Sequence, residues 1–374
     1  MNLSAHDQSG PPEQPEVAVS DTAHPAPPQR RFTLSEIFFG SDGLRAGWGI
    51  LLFYVLRLLL LFYCAFPLFK AIFPWISGAT SFSRPSRMLA YEGMGVIAVA
   101  LTTWLMAKIE RRPTSVFGLG GTHRLRNFLS GLAWGVALLS LLVFTLRATG
   151  LLVFDARQLF GASALRYGAV WLVGFLLVGI YEEYLFRGYL QFTLARGING
   201  IYDWLRSFGA QATECSATGL NNTGPLATTQ NALGFWTAAL LLSFYFGLGH
   251  RTNAGESPIG LVAAALIAVV FCLSLWRTGS LWWAIGFHAA WDWAQSFLYG
   301  VADSGMLIQG HLFATHPAGR ALLSGGLTGP EGSLFILPIV GLTAAIIVLT
   351  LPRVHHDGTP ASANTRATAG LDLP

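Results

Sequence analysis

The sequence predicts an all-α, polytopic helical membrane protein, and three observations carry that prediction. Hydrophobic residues make up 53% of the 374-residue chain and charged residues only 11%, with a mean hydropathy of +0.51, outside the range of soluble domains. Apolar runs recur at spanning length, about 20 residues for a hydrocarbon core of about 30 Å. The formal net charge of +4 comes from Arg and Lys gathered beside those runs, a pattern of topology signals rather than of a nucleic-acid face. A lipid bilayer is therefore the expected partner, and nucleic acid is not.

Taken in order, residues 1–30 are rich in Pro with Ser, Gln, Glu and Ala and predict a disordered tail. No basic start followed by an apolar run is present, so this is not a signal peptide. Over 31–45, Thr33 and Glu36 have capping-box spacing, and Leu34, Ile37, Phe38 and Phe39 follow on one side of a short interfacial helix. The transmembrane domain, 46–352, holds about eight spans, roughly 46–66, 89–109, 128–146, 167–189, 232–249, 258–276, 281–299 and 333–351. A polar tail, 353–374, follows. Basic residues are densest over 108–126 and favour both termini inside, as in a bacterial plasma membrane protein. The connection 190–231 reads as flexible, and 300–332 as a loop exposing His311 and His316. Cys64, Cys215 and Cys272 have no ligand spacing, and Cys64 and Cys272 read as small apolar residues within spans. No internal repeat of a transporter kind is evident.

The polar residues within spans point to a site. Glu182, Glu183 and Arg187 end the fourth span, and an ionisable group at membrane depth costs a few kcal/mol or more, so such a group must face a cavity or a partner. Glu183 and Arg187 share a helical face and can pair, whereas Glu182 points about 100° away. Glu182 then becomes a cavity-facing carboxylate able to take a proton from water. An ion-pair network fastening helices is the purely structural alternative. The fifth span ends with Phe246 and His250 on one face, with Gly247 and Gly249 small enough for close helix approach. In the seventh, His288 and Asp292 are four apart, and a carboxylate beside a buried imidazole can fix its tautomer. Trp282 and Trp283 read as interfacial belt residues, and Trp291 and Trp293 as lipid-facing or pocket walls.

The ordered set Glu-Glu-x-x-x-Arg, Phe-x-x-x-His and His-x-x-x-Asp resembles the CPBP intramembrane proteases, which include type II CAAX prenyl endopeptidases and Abi-like proteins. The resemblance covers about 171–296, and Arg112 to Leu119 also looks like the family's loop before its core. It implies an intramembrane catalytic cavity acting on a membrane-associated or lipidated protein, in which Glu182 and His250 activate water. His288 and the residue at Asp292 would stabilise the oxyanion, and Glu183, Arg187 and Phe246 would support the site. The prenyl-protein enzymes carry Asn where this chain has Asp292, and an ionised Asp cannot donate a hydrogen bond to an oxyanion. Asp292 is then either protonated or orients His288.

No cofactor is firmly implied. Glu182, His250 and His288 would make a two-histidine, one-carboxylate zinc set, yet the His-Glu-x-x-His pattern is absent, and a glutamate-type reaction is expected ahead of a metal-dependent one. A proton-coupled transporter would also place Glu, His, Asp and Arg within spans, and an immunity or scaffold protein could keep the fold without the chemistry.

Overall fold

The computed structural model describes residues 34–40, 43–72, 84–210 and 225–352. The chain begins with a four-residue helix α1 (Ser35–Phe38) and a short ribbon of β1 (Phe39–Gly40) and β2 (Gly43–Leu44). The helix is shorter than the expected interfacial segment, though Leu34, Ile37, Phe38 and Phe39 are exposed as its apolar face requires. Thr33 and both expected tails, 1–30 and 353–374, lie outside the described residues.

Helices follow in chain order: α2 (Ala46–Leu59), α3 (Phe66–Ile72), α4 (Pro85–Ile109), α5 (Arg124–Ala148), α6 (Gly161–Glu183), α7 (Gln191–Ala210), α8 (Pro225–Gly249), α9 (Pro258–Thr278), α10 (Trp282–Trp293), α11 (Ala321–Ser324) and α12 (Ile336–Thr350). Among the described residues, six helical stretches are long and apolar enough to cross a membrane, and α12 is apolar but shorter. The seventh expected span is also short, α10 continuing as a π-helical segment Ala294–Leu298. The protein is thus an all-α polytopic membrane protein with six long spans and two shorter helices in place of eight alike.

Two stretches differ from expectation. α6 does not stop near 189 but continues through a π-helical turn, Tyr184–Leu190, into α7, so much of the segment read as connection is helix. Residues 211–224 lie outside the described residues. The 300–332 segment contains β4 (Phe313–Pro317), antiparallel to β3 (Leu152–Arg157). His316 sits on that ribbon beside Asp155, its Nδ1 2.9 Å from Oδ2, while His311 is half-buried with Nδ1 2.9 Å from the Ile308 carbonyl.

α10 is the central helix, packed chiefly against α5 and α6. Lipid tails are as apolar as Leu, so helices in a bilayer associate through close packing of small residues. Gly131 and Gly135 of α5 face the backbone of Trp283 and Phe287, and Gly286 of α10 faces the backbone of Phe128. Each would drive a Cβ into the opposite main chain. On another face of α10, Trp283, Phe287 and Trp291 stack at 5.1 and 5.7 Å between ring centroids. Trp283 is fully buried there, so it is not a belt residue. Trp291 is buried, and Trp293 is half-buried with its indole N–H donating to the Gly168 carbonyl at 2.8 Å. Cys272 is buried within α9, whereas Cys64 is exposed.

Candidate active site

Glu182 and Glu183 close α6 immediately before the π-helical turn, where Gly188 leaves helical geometry at φ −83°, ψ −108°. A Cβ there would press on the Tyr184 ring and the Phe117 carbonyl. The turn still keeps Arg187 over Glu183, with Nη1 donating to Oε1 at 3.0 Å. Both side chains are buried, at 3% and 0% exposure. The expected pair therefore forms, in a setting where either charge alone would be costly.

The same Glu183 oxygen lies 3.0 Å from His288 Nδ1. A carboxylate paired with arginine can only accept, so Nδ1 carries the proton, and Nε2 faces elsewhere. Nε2 is 3.7 Å from Glu182 Oε2 and 3.5 Å from Asp292 Oδ2. The bond that fixes the imidazole thus comes from Glu183, and Asp292 stands beside the other ring nitrogen. α6 and α10 approach closely enough for this because Gly179 sits against the backbone of Ile285 and Ala289.

His250 opens a 3-10 turn, His250–Thr252, at the end of α8. Its Nδ1 lies 2.8 Å from the Phe246 carbonyl and must donate to it, which leaves Nε2 as the free acceptor of a neutral ring. Phe246 is flanked by both neighbours: its ring centroid is 4.8 Å from that of His250 and 4.5 Å from the Arg187 guanidinium carbon. Gly247 lets α9 approach, meeting Leu261 and Ala265, whereas a Cβ at Gly249 would meet nothing within 4 Å.

Glu182, Phe246, His250, His288 and Asp292 line one cavity of about 370 Å³, bounded by α4, α6, α8, α9, α10, α12 and the segment after α10. Its walls are mainly apolar and aromatic, including Met88, Phe175, Phe186, Phe271 and Phe287. Three further acids enter it that spacing did not disclose: Glu92 from α4, and Asp303 and Glu331 from the long segment. Glu331 accepts from the Trp291 indole at 2.7 Å and from the Ser304 hydroxyl at 3.2 Å. The Ser296 hydroxyl donates to Asp303 at 3.2 Å. Burial, reinforced by the charges of Asp292 and Glu331, holds the Asp303 carboxyl well above the usual carboxylate range. Burial also raises Glu256, which lies between α8 and α9. Asp303 and Glu331 pair through the fold at separations of 7 to 40 positions and leave no periodic trace, and Glu92 has no ionisable partner at helical spacing.

Zinc needs donors at about 2.0–2.2 Å. Among the described residues, no group of three or more His, Cys, Asp or Glu side chains is arranged to hold a metal ion. Glu182 and His288 share the cavity, and the bond of His288 Nδ1 to Glu183 leaves Nε2 on the cavity side.

Comparison with known proteins adds one match. Residues 164–294 match a family model described as Rce1-like, type II CAAX prenyl endopeptidase Rce1-like. That stretch contains every motif residue named above, from Glu182 to Asp292. No curated protein and no solved structure matches the chain.

Proposed function

From the match of residues 164–294 to the Rce1-like, type II CAAX prenyl endopeptidase model, we propose that this protein is an intramembrane endopeptidase hydrolysing a peptide bond of a membrane-associated or lipidated substrate, with CAAX-type processing as its specific form. The observation that supports it most is the meeting of Glu182, His250 and His288 from three helices on one cavity, with His288 held by the Glu183–Arg187 pair. Glu182 and the free nitrogen of His250 bind a water, and Glu182 takes its proton as the oxygen attacks the scissile carbonyl carbon. His288, carrying both protons, offers Nε2–H to the oxyanion, and Asp292 steadies that nitrogen. Glu182 returns its proton to the leaving amine as the C–N bond breaks, giving a carboxylate and an amine. No metal is required for these steps. The dense basic residues Lys108, Arg111, Arg112, Arg124 and Arg126 support an orientation with both termini cytoplasmic, and a bacterial plasma membrane is the location this reading proposes.

The test is cleavage of a prenylated Cys-a-a-X peptide by purified full-length protein, followed by mass spectrometry. Glu182→Ala and His250→Ala are each expected to lower turnover by about 100-fold or more while the protein still inserts. Wild-type-like turnover in either inserted variant overturns the assignment. Turnover should survive chelation, and stoichiometric zinc lost together with activity would overturn the metal-free form.

A further inference from the structure

Glu92 is a carboxylate within a span that neither the motifs nor the proposed reaction uses. It projects from α4 into the cavity that holds Glu182. Its height is set by helix packing: a Cβ at Gly95, one turn further on, would lie 3.0 Å from the Tyr181 ring, so α4 and α6 are in contact at that level. Glu92 and Glu182 flank this crossing, one on each helix, and both line the cavity. The nearby cation, Arg57 of α2, is turned to the Tyr181 hydroxyl at 3.0 Å. Arg187 is held by Glu183.

Among the described residues Glu92 makes no hydrogen bond or ion pair. Met88, Phe175 and Val178, which line the same cavity, have no hydrogen-bond donor to offer, and the Tyr181 hydroxyl at the crossing is engaged with Arg57. A carboxylate in such a place is costly without a donor, so an occupant of the cavity is the natural source of one. The other ionisable groups facing the cavity are Glu182, His250, His288, Asp292, Asp303 and Glu331, four acids and two histidines. That balance favours a cationic group over an anionic one.

We propose that Glu92 is a specificity-determining residue that pairs with a basic side chain, Lys or Arg, of the substrate peptide. The proposal rests on the reading of this cavity as the site of cleavage and adds the class of peptide it accepts. Met88, Phe175 and Val178 would cover the aliphatic stem of that side chain while its head reaches Glu92, as long cationic side chains do at apolar surfaces.

The test measures binding apart from cleavage. Full-length protein carrying Glu182→Gln keeps the shape of the site and removes the proposed base. Fluorescently labelled, farnesylated Cys-a-a-X peptides with Lys, Ala or Glu at each position upstream of the cysteine serve as probes. At one position the Lys peptide should bind about tenfold more tightly than the Ala peptide, and the Glu peptide more weakly than both. Adding Glu92→Gln, which is nearly isosteric, should bring the three to within about twofold. Equal binding of Lys and Ala peptides at every position with Glu92 intact overturns the proposal. So does a Lys preference that survives Glu92→Gln. In the otherwise wild-type enzyme, a Glu92→Gln loss of turnover equal for Lys, Ala and Glu peptides also overturns it, since that marks a proton-handling role. Cleavage of the Ala peptide by wild type, compared with Glu182→Ala, reports separately on the protease reading.

Discussion

Adjacent glutamates in this chain do different work because a helix turns them to different surroundings. Glu183 is fully enclosed and answers to two partners, Arg187 and His288, whereas the Glu182 side chain is 26% exposed to the cavity. Removing one member of a buried pair leaves the other charge without compensation, which costs about 3–5 kcal/mol. Truncating a cavity-facing carboxylate does not. Glu183→Ala should therefore lower the thermal midpoint of the detergent-solubilised protein by several degrees, while Glu182→Ala leaves it near wild type. Equal destabilisation by the two variants, followed by thermal scanning, would mean that Glu182 too is structural and that its assignment as a base is unsafe.

At the scale of elements, the position of His288 is set by how closely α10 can lie on its neighbours. Gly131, Gly135 and Gly286 make the contact with α5, and Gly179 the contact with α6. Gly131→Ala would place a methyl group against the Trp283 carbonyl and push α10 away. A shift of about 1 Å can cost roughly 100-fold in rate at a site that depends on alignment. Turnover of a prenylated peptide should fall on that order in Gly131→Ala, and Gly341→Ala, where a Cβ meets nothing within 4 Å, should leave it unchanged. Matching losses in both would remove the crossing from the account. The same elements explain which features were legible in sequence. Glu183 with Arg187, Phe246 with His250 and His288 with Asp292 are each four apart, so helical period alone placed each pair on one face. The contact between Glu183 and His288 spans 105 positions and belongs to the packing of α6 on α10, which no local spacing encodes. The π-helical turn after Glu183 and the pairing of β3 with β4 escaped for the same reason. One depends on Gly188 leaving helical geometry, and the other joins strands separated by all the helices from α6 to α10.

On the scale of the whole molecule, hydropathy located the six long spans of the described residues but could not tell a full crossing from the shorter α10 and α12, which flank the segment 300–332. That segment closes the cavity with Asp303 and Glu331, and it links the site to the stability of the fold. Asp303 is joined to Met306 by two backbone hydrogen bonds of 2.8 Å and accepts from Ser296. Burial and the charges of Asp292 and Glu331 raise its carboxyl well above the ordinary range. An acid whose pKa is higher folded than unfolded holds its proton more tightly in the native state. Its contribution is therefore greatest at low pH, near the unfolded value of about 3.9, and is lost as pH rises toward the folded value. Wild-type protein in detergent should accordingly lose thermal stability as pH is raised above the unfolded value of this carboxyl. Asp303→Asn, which mimics the neutral form, should flatten that dependence and be the more stable protein at the upper end. If the slope of melting temperature against pH is the same in Asp303→Asn as in wild type, the closing segment does not couple protonation to stability through Asp303.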